Sequence, residues 1–216
     1  MKRSHFVGLL ALLVVSLVTL PLVVAGEVSR SGDDSPRIVR ESPQPEGFPA
    51  STPVGQIVVK DYPAYRSATV VRSDRGRNSM FRSLFRHITV NDISMTAPVE
   101  MTYDDEGPTS MSFLYGSMEV GKLGDQGTVK VSDHPAVKVV AIGVRGSYSQ
   151  ERFEAHRELL NDWLTKNSDQ WKASGEPRQF SFNSPFVPGP MKYSEVQIPV
   201  RRVAEDSAKQ SVGQLP

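Results

Sequence analysis

Alternation of apolar and polar residues predicts most of the strands in this chain. Residues 58–71 (VVKDYPAYRSATVV) and 130–143 (KVSDHPAVKVVAIG) each predict two strands joined by an Asp-x-Pro-Ala turn. Residues 109–120 and 193–200 alternate in the same way and predict further strands. Short strands separated by turns are typical of an antiparallel sheet, so the pattern predicts a sheet as the main element of the fold.

Two other stretches carry apolar residues at helical spacing. The first predicted helix begins near Asn78 or Ser79, which are capping residue types, and ends at Ile88. The second runs from about Ser149 to Lys166. Their predicted apolar faces are Met80, Phe81, Leu84, Phe85 and Ile88 in the first helix, and Phe153, Leu159, Leu160, Trp163 and Leu164 in the second.

The two strand–turn–strand stretches align at an offset of 72 residues, and the same offset places Phe81 with Phe153. Each stretch is followed by a predicted helix and then by further strands, so the chain looks internally duplicated. We therefore predict an α+β fold: a curved antiparallel sheet, closed into a distorted barrel, flanked by two helices and built from two pseudo-symmetric ββαβ-type halves.

The first 25 residues have the pattern of a secretory signal peptide. Lys2 and Arg3 precede an apolar run from Phe6 to Ala25. The run is also nearly long enough to remain as an uncleaved anchor, and both interpretations place the domain outside the cytoplasm, in the periplasm or secreted. Contact with a membrane is expected only if the segment stays uncleaved.

Two further segments lack apolar periodicity. Residues 26–53 contain five prolines among polar residues and predict a disordered linker, and residues 202–216 predict a disordered tail. The folded domain is thus predicted to span residues 54–201.

Charge and cysteine content exclude several classes of protein. The chain has 25 basic and 24 acidic residues, and removal of Lys2 and Arg3 with the signal leaves 23 against 24. This balance gives no basic footprint for nucleic acid. The chain has no cysteine, which excludes disulfides, thiolate metal sites and covalent haem attachment. We expect any cofactor to be held non-covalently, and we expect a monomer.

The stretch ISMTAPVEM (93–101) has unusual chemistry for a strand. Its apolar residues, Met95 and Met101 among them, fall on alternate positions, which predicts one buried face. Pro98 cannot donate to a ladder and predicts the end of regular pairing. Methionine fills core gaps and also lines adaptable binding surfaces, so this face packs against either the core or a ligand.

Signatures of catalysis are missing from the sequence, which has no G-x-S-x-G, phosphate-loop or H-E-x-x-H motif. Beyond the signal it has three histidines, none at a metal-ligand spacing. We expect His156 to be a hydrogen-bonded core residue and His134 to have a local role in its turn. His87 lies at the edge of the first helix, where it either reaches a pocket beside the methionines or is half exposed.

Five arginines cluster between Val71 and His87, namely Arg72, Arg75, Arg77, Arg82 and Arg86. They form either a solvated surface or a site that captures carboxylates, for which the guanidinium fork is suited. An apolar, methionine-lined cleft beside arginines would suit a flat molecule with acidic arms, such as haem or another tetrapyrrole.

The residues of the first half resemble a known family. Phe81-x-x-Leu84, the helix end near His87, Asn91, and then Ile93 to Val99 with Met95-Thr96-Ala97-Pro98-Val99 resemble the SOUL haem-binding family. Asn183 to Phe186 and Lys192 to Val196 are similar to its C-terminal pattern. The resemblance covers about residues 54–200.

The resemblance implies two pseudo-symmetric halves and reversible binding of haem or another tetrapyrrole in a shallow apolar site near the first helix. Two alternatives stay open: a tetrapyrrole-modifying enzyme, for which His87 and Glu100 are the acid–base candidates, and an interaction module that has lost haem binding. The positions that match the family's motifs suggest Phe81, Leu84, Phe85 and Met95 as contacts of the ligand. The geometry of the first helix adds His87 as the iron ligand and Arg82 and Arg86 as partners of the propionates.

Overall fold

The computed structural model describes residues 38–72, 76–104 and 106–204. In chain order its elements are β1 (Ile57–Tyr62), β2 (Tyr65–Val71), α1 (Gly76–Val90), β3 (Val99–Asp104), β4 (Gly107–Leu114), β5 (Gly124–Gln126), β6 (Val129–His134), β7 (Val137–Arg145), α2 (Gln150–Lys166), β8 (Trp171–Ala173), β9 (Arg178–Ser181) and β10 (Tyr193–Arg202). The predicted signal peptide, the first part of the linker, Arg75 and most of the tail lie outside the described residues. Within those residues, neither helix has the length and apolarity needed to cross a bilayer.

The strands form one antiparallel sheet, which confirms the α+β fold. Its order is β1-β7-β10-β9-β3-β4-β2-β6-β5, and β8 pairs with β10. The sheet does not close, so the expected distorted barrel is instead an open sheet. The internal duplication stays a prediction.

The two predicted strand–turn–strand stretches form their strands, but the two strands of each stretch do not pair with each other as a hairpin. β1 pairs with β7, and β2 pairs with β6, so the two stretches pair with each other on both sides of their turns. Two-residue hairpin turns need a positive φ at their first central residue, and Pro63 and Pro135 are held at a negative φ. Each turn therefore carries the chain from one strand pair to the next.

Both helices form where the apolar spacing predicted them. Ser149 caps α2 by accepting a hydrogen bond from the Arg152 backbone N–H at 3.2 Å, whereas α1 extends beyond its predicted bounds at both ends. Two residues of the predicted apolar faces are largely exposed: Phe85 at 51% and Leu159 at 48%. The reason is that a helix resting on a sheet buries a narrower stripe than its full apolar face.

Both helices cover the same face of the sheet. Met101 of β3 lies opposite Gln179 of β9, which lies opposite Val196 of β10, so these side chains share one face. α1 packs on a core cluster that contains Met80, Leu84, Ile88, Met101, Met111 and Phe113, and α2 packs on a second cluster that contains Ile142, Val144, Phe153, Leu160, Val196 and Ile198.

The predicted strand at residues 93–101 is only partly a strand. β3 begins at Val99, and the cis bond between Ala97 and Pro98 precedes it, so Pro98 stands before the regular pairing and not at its end. Thr96 is buried at a position expected to be polar and exposed, because its hydroxyl donates to the Leu114 carbonyl at 2.5 Å. Met95 is half buried against the α1 cluster.

Residues 38–53, predicted as linker, pack on the sheet, and we call them the strap. The Pro43 carbonyl accepts from the Ala97 N–H at 2.8 Å, and the ring of Phe48 lies edge-on to those of Tyr62 and Tyr65 at 4.9 and 5.6 Å. Tyr62 and Tyr65 lie on the face of the sheet that points away from the helices, and we call it the inner face. The folded part therefore includes the strap.

Candidate functional site

A half-exposed aromatic pair lies on the surface of α1. Phe81 and Phe85 are one turn apart, and their rings are stacked with centroids 6.0 Å apart. Phe81 also meets Phe113 of the sheet edge-on at 5.3 Å, whereas Phe85 is left 51% exposed. Arg82 and Arg86, each one residue further along the helix, are exposed on the adjoining surface. This arrangement offers a flat apolar surface beside two cations.

The other two predicted apolar contacts differ in accessibility. Leu84 is fully buried beneath α1, so it belongs to the core and cannot touch a ligand on the outside. Met95 is half buried against the same cluster as Phe81, and part of it faces solvent. Of the four apolar contacts expected from family position, Phe81, Phe85 and Met95 are thus accessible to solvent, whereas Leu84 is not.

His87 is separated from this surface. It is 8% exposed and lies two residues from Phe85, which on a helix places the two side chains on nearly opposite sides. Its Nε2 is 2.6 Å from the Tyr115 hydroxyl, and its Nδ1 is 3.3 Å from Nδ2 of Asn91. Iron ligation by His87 would require at least one of these contacts to break, so the placement argues against the predicted role.

Burial of His87 should make stability depend on pH. Burial lowers the pKa of His87 below its ordinary 6.5, so the unfolded chain takes up the proton at a higher pH than the folded chain. The free energy of unfolding should therefore fall as the pH drops through about 6.5, and fall less steeply in His87→Gln, which cannot titrate. Denaturant titrations across this range would show it; parallel pH profiles of both proteins would contradict the account.

The other histidines have local partners. His134 stacks on Tyr65 at 4.7 Å, with Nε2 2.8 Å from the Ser67 hydroxyl. His156 lies half exposed, with Nδ1 2.7 Å from the Arg152 carbonyl of its own helix. No group of three potential metal ligands occurs among the described residues.

Two clefts in the described part of the molecule are small. One, of about 170 Å³, lies beside the start of α2 and is lined by Tyr148, Arg152, Phe153, Gln179 and Ser194 among others. Another, of about 230 Å³, lies between the strap and Ala97 and Phe182. Ligand pockets usually measure roughly 300–1,000 Å³, so a tetrapyrrole does not fit inside either cleft. The surface of α1, which presents Phe81 and Phe85 beside two arginines, is the better candidate for such a ligand.

The inner face contains a buried ion pair that was not predicted from the sequence. Glu195 is 0% exposed, and both of its carboxylate oxygens accept from Lys60 Nζ, at 2.9 and 3.0 Å. The Thr52 N–H of the strap donates to the same carboxylate at 2.8 Å, and the Tyr193 hydroxyl donates at 2.9 Å. The alternation of Tyr193, Glu195 and Gln197 marks one strand face, but nothing in the sequence identifies Lys60 as the partner.

Comparison with known proteins gives a family and a fold. The family model for "SOUL heme-binding protein" matches residues 51–199, which is more than half of the chain, and a search of curated proteins gave no match. Among solved structures, the EcmrR C-terminal domain is 17% identical with a TM-score of 0.53, over 68% of this chain and 98% of that one. A hydrolase from Listeria innocua is 12% identical with a TM-score of 0.52, over 69% and 94%. EcmrR in a DNA complex is matched over 58% of its length, with a TM-score of 0.54 and 17% identity. At these identities the structures show a shared fold only.

Proposed function

Because this chain belongs to the SOUL heme-binding protein family, we propose that it is an exported protein that holds haem or another tetrapyrrole non-covalently on the surface of α1. Carriage, buffering or scavenging of the ligand would each use such a site. Export is supported by the basic start and apolar run of residues 1–25.

The observation that carries this proposal is the half-exposed stack of Phe81 and Phe85. Aromatic rings prefer offset or edge contacts with other flat rings, so the exposed side of Phe85 suits the face of a macrocycle. The exposed part of Met95 adds an adaptable apolar contact. Arg82 and Arg86 can pair with propionates at the ligand's edge, where a guanidinium binds a carboxylate through two hydrogen bonds.

In this arrangement the protein binds the ring and its acidic arms, and iron ligation is not what holds the ligand. A bound haem would supply its own iron chemistry, while the chain supplies apolar contact and charge pairing. The acid–base candidates of an enzyme are also absent from this surface. His87 is on the other side of α1. Glu100 lies on the inner face, because it and Glu195 both lie opposite Phe180. There its Oε2 is 3.6 Å from Nη1 of Arg178.

A haemin titration followed by absorbance tests the proposal. We expect a saturable one-to-one shift of the Soret band with the unaltered protein. Phe85→Ser should weaken binding about tenfold or more, because burying a phenylalanine ring is worth roughly 1.5–3 kcal/mol. His87→Ala should leave the affinity and the band position nearly unchanged.

Leu159→Ser is the matched control, because Leu159 is exposed to a similar extent on the other helix. It should bind as the unaltered protein does. Equal binding by Phe85→Ser and Leu159→Ser would refute the α1 surface as the site, and a band shift lost in His87→Ala would restore His87 as the iron ligand.

A further inference from the structure

The loop before β10 exposes an uncharged apolar tip. Residues 184–191 read SPFVPGPM, and Phe186 is 93% exposed, the largest exposure among the large hydrophobic residues described. Met191 is 48% exposed, and Pro185, Pro188 and Pro190 are exposed as well. Phe186 and these four exposed apolar residues lie within seven consecutive positions, and exposed apolar surface in soluble proteins usually marks an interaction site when it is concentrated in this way.

This loop is held in one conformation. Its three prolines fix their φ angles, and the Met191 and Lys192 N–H groups donate within the turn to Pro188 and Gly189 at 2.9 and 3.1 Å. At its base, the N–H and hydroxyl of Ser184 donate to the Glu41 carboxylate at 2.8 and 2.7 Å. A rigid loop loses little conformational entropy when its tip is buried against a partner.

The N-terminal part of the chain joins the domain beside this loop. Asn183 Nδ2 donates to the Val39 carbonyl at 2.7 Å, so the strap begins next to the loop base. The apolar run that ends at Ala25 is separated from Ile38 by residues 26–37. Those twelve residues span at most about 40 Å when extended, which keeps the loop within reach of a bilayer that holds the apolar run.

Basic side chains flank the tip. Lys192 follows Met191 directly, Arg145 Nη1 donates to the Met191 carbonyl at 3.2 Å, and Arg40 is exposed on the neighbouring strap. Cations next to an exposed apolar tip match an anionic membrane surface, where each contributes to attraction at short range.

We propose that residues 184–191 form a membrane-contacting loop, in which Phe186 and Met191 enter the interfacial layer of a phospholipid bilayer while the flanking cations face its headgroups. This contact is separate from the α1 surface.

The absence of cysteine from the chain makes a labelling test clean. Full-length Phe186→Cys carrying a nitroxide label is reconstituted in vesicles of phosphatidylcholine and phosphatidylglycerol. We then measure how accessible the label is to oxygen, which partitions into the bilayer, and how accessible it is to a water-soluble nickel chelate. Val71→Cys is the control, because Val71 is 70% exposed and far from the loop. Strand pairing places it in one row with Ser110, Thr102 and Arg178. Arg178 begins β9, and the loop follows the other end of that strand.

We expect the oxygen-to-nickel accessibility ratio to be several-fold higher at position 186 than at position 71, and to fall when phosphatidylglycerol is left out. Equal ratios at the two positions would overturn the proposal. It would be overturned as well if the label at 186 were shielded without vesicles, which would indicate a protein contact, or if it responded to haemin and not to vesicles.

Discussion

Replacing Glu195 with glutamine is expected to lower the free energy of unfolding by about 3–5 kcal/mol, the usual cost of removing one partner of a buried ion pair. Glu195 is fully buried, and the groups around its carboxylate are donors: Lys60, Thr52, Tyr193 and Gln197. Glutamine would present an N–H₂ group to these donors and leave the Lys60 charge without a counter-ion. Urea titration at pH 7 measures the change.

The loss should shrink as the pH is raised. Burial already lowers the pKa of Lys60 from 10.5, and Glu195 opposes that shift. Without Glu195 the folded protein therefore releases the proton more readily than the unfolded chain, so its stability rises with pH toward 10.5. Glu106→Gln is the control, since Glu106 pairs with Arg72 at the surface, and it should have little effect. Equal stability of the two variants would contradict the account.

Gly143→Ala is expected to lower the free energy of unfolding by about 1–3 kcal/mol, the range for overpacking a filled site. A Cβ at this position would lie 2.6 Å from the Pro53 carbonyl oxygen and closer still to that of Thr52. Both obstacles are backbone atoms, so the strap has to move. Its movement weakens the hydrogen bond from the Gly55 N–H to the Gly143 carbonyl, which is 2.8 Å in the native fold.

Gly116→Ala provides the comparison, because a Cβ there meets nothing within 4 Å. Hydrogen exchange locates the effect: amides of the strap should exchange faster in Gly143→Ala, whereas those of α1 should not. Unchanged exchange in the strap would show that it is not held against β7 in the way described.

The fold class could be predicted because its elements carry local signals. Apolar spacing placed both helices, and Ser149 marked the start of α2 correctly. Strand pairing could not be predicted, because pairing between the two similar stretches depends on residues far apart in sequence. The order of the strap was not predicted for a related reason. Its prolines and polar residues resemble a linker, and its order comes from distant partners: Glu195 accepts from the Thr52 N–H, and Phe180 stacks on Phe48.

The candidate site was predicted in part. The motif Met95 to Val99 and the helix before it indicated the family, and they predicted a site near α1, which stays a prediction. Helical spacing places Phe85 and His87 on nearly opposite sides of α1, but the sequence did not show which of the two sides is buried. Contact with Tyr115 decides that His87 turns inward, and that partner lies on a different element, beyond the end of β4.

The most direct test of the α1 surface is to map bound haemin by NMR. Ferric iron broadens signals of nearby nuclei, so spectra with haemin are compared with spectra containing the diamagnetic gallium protoporphyrin. We predict that amide signals around Phe81, Phe85 and Met95 are lost with haemin only, while those around Phe48 and Tyr62 on the inner face persist. Broadening centred on the inner face, or none with either ligand, would contradict the account.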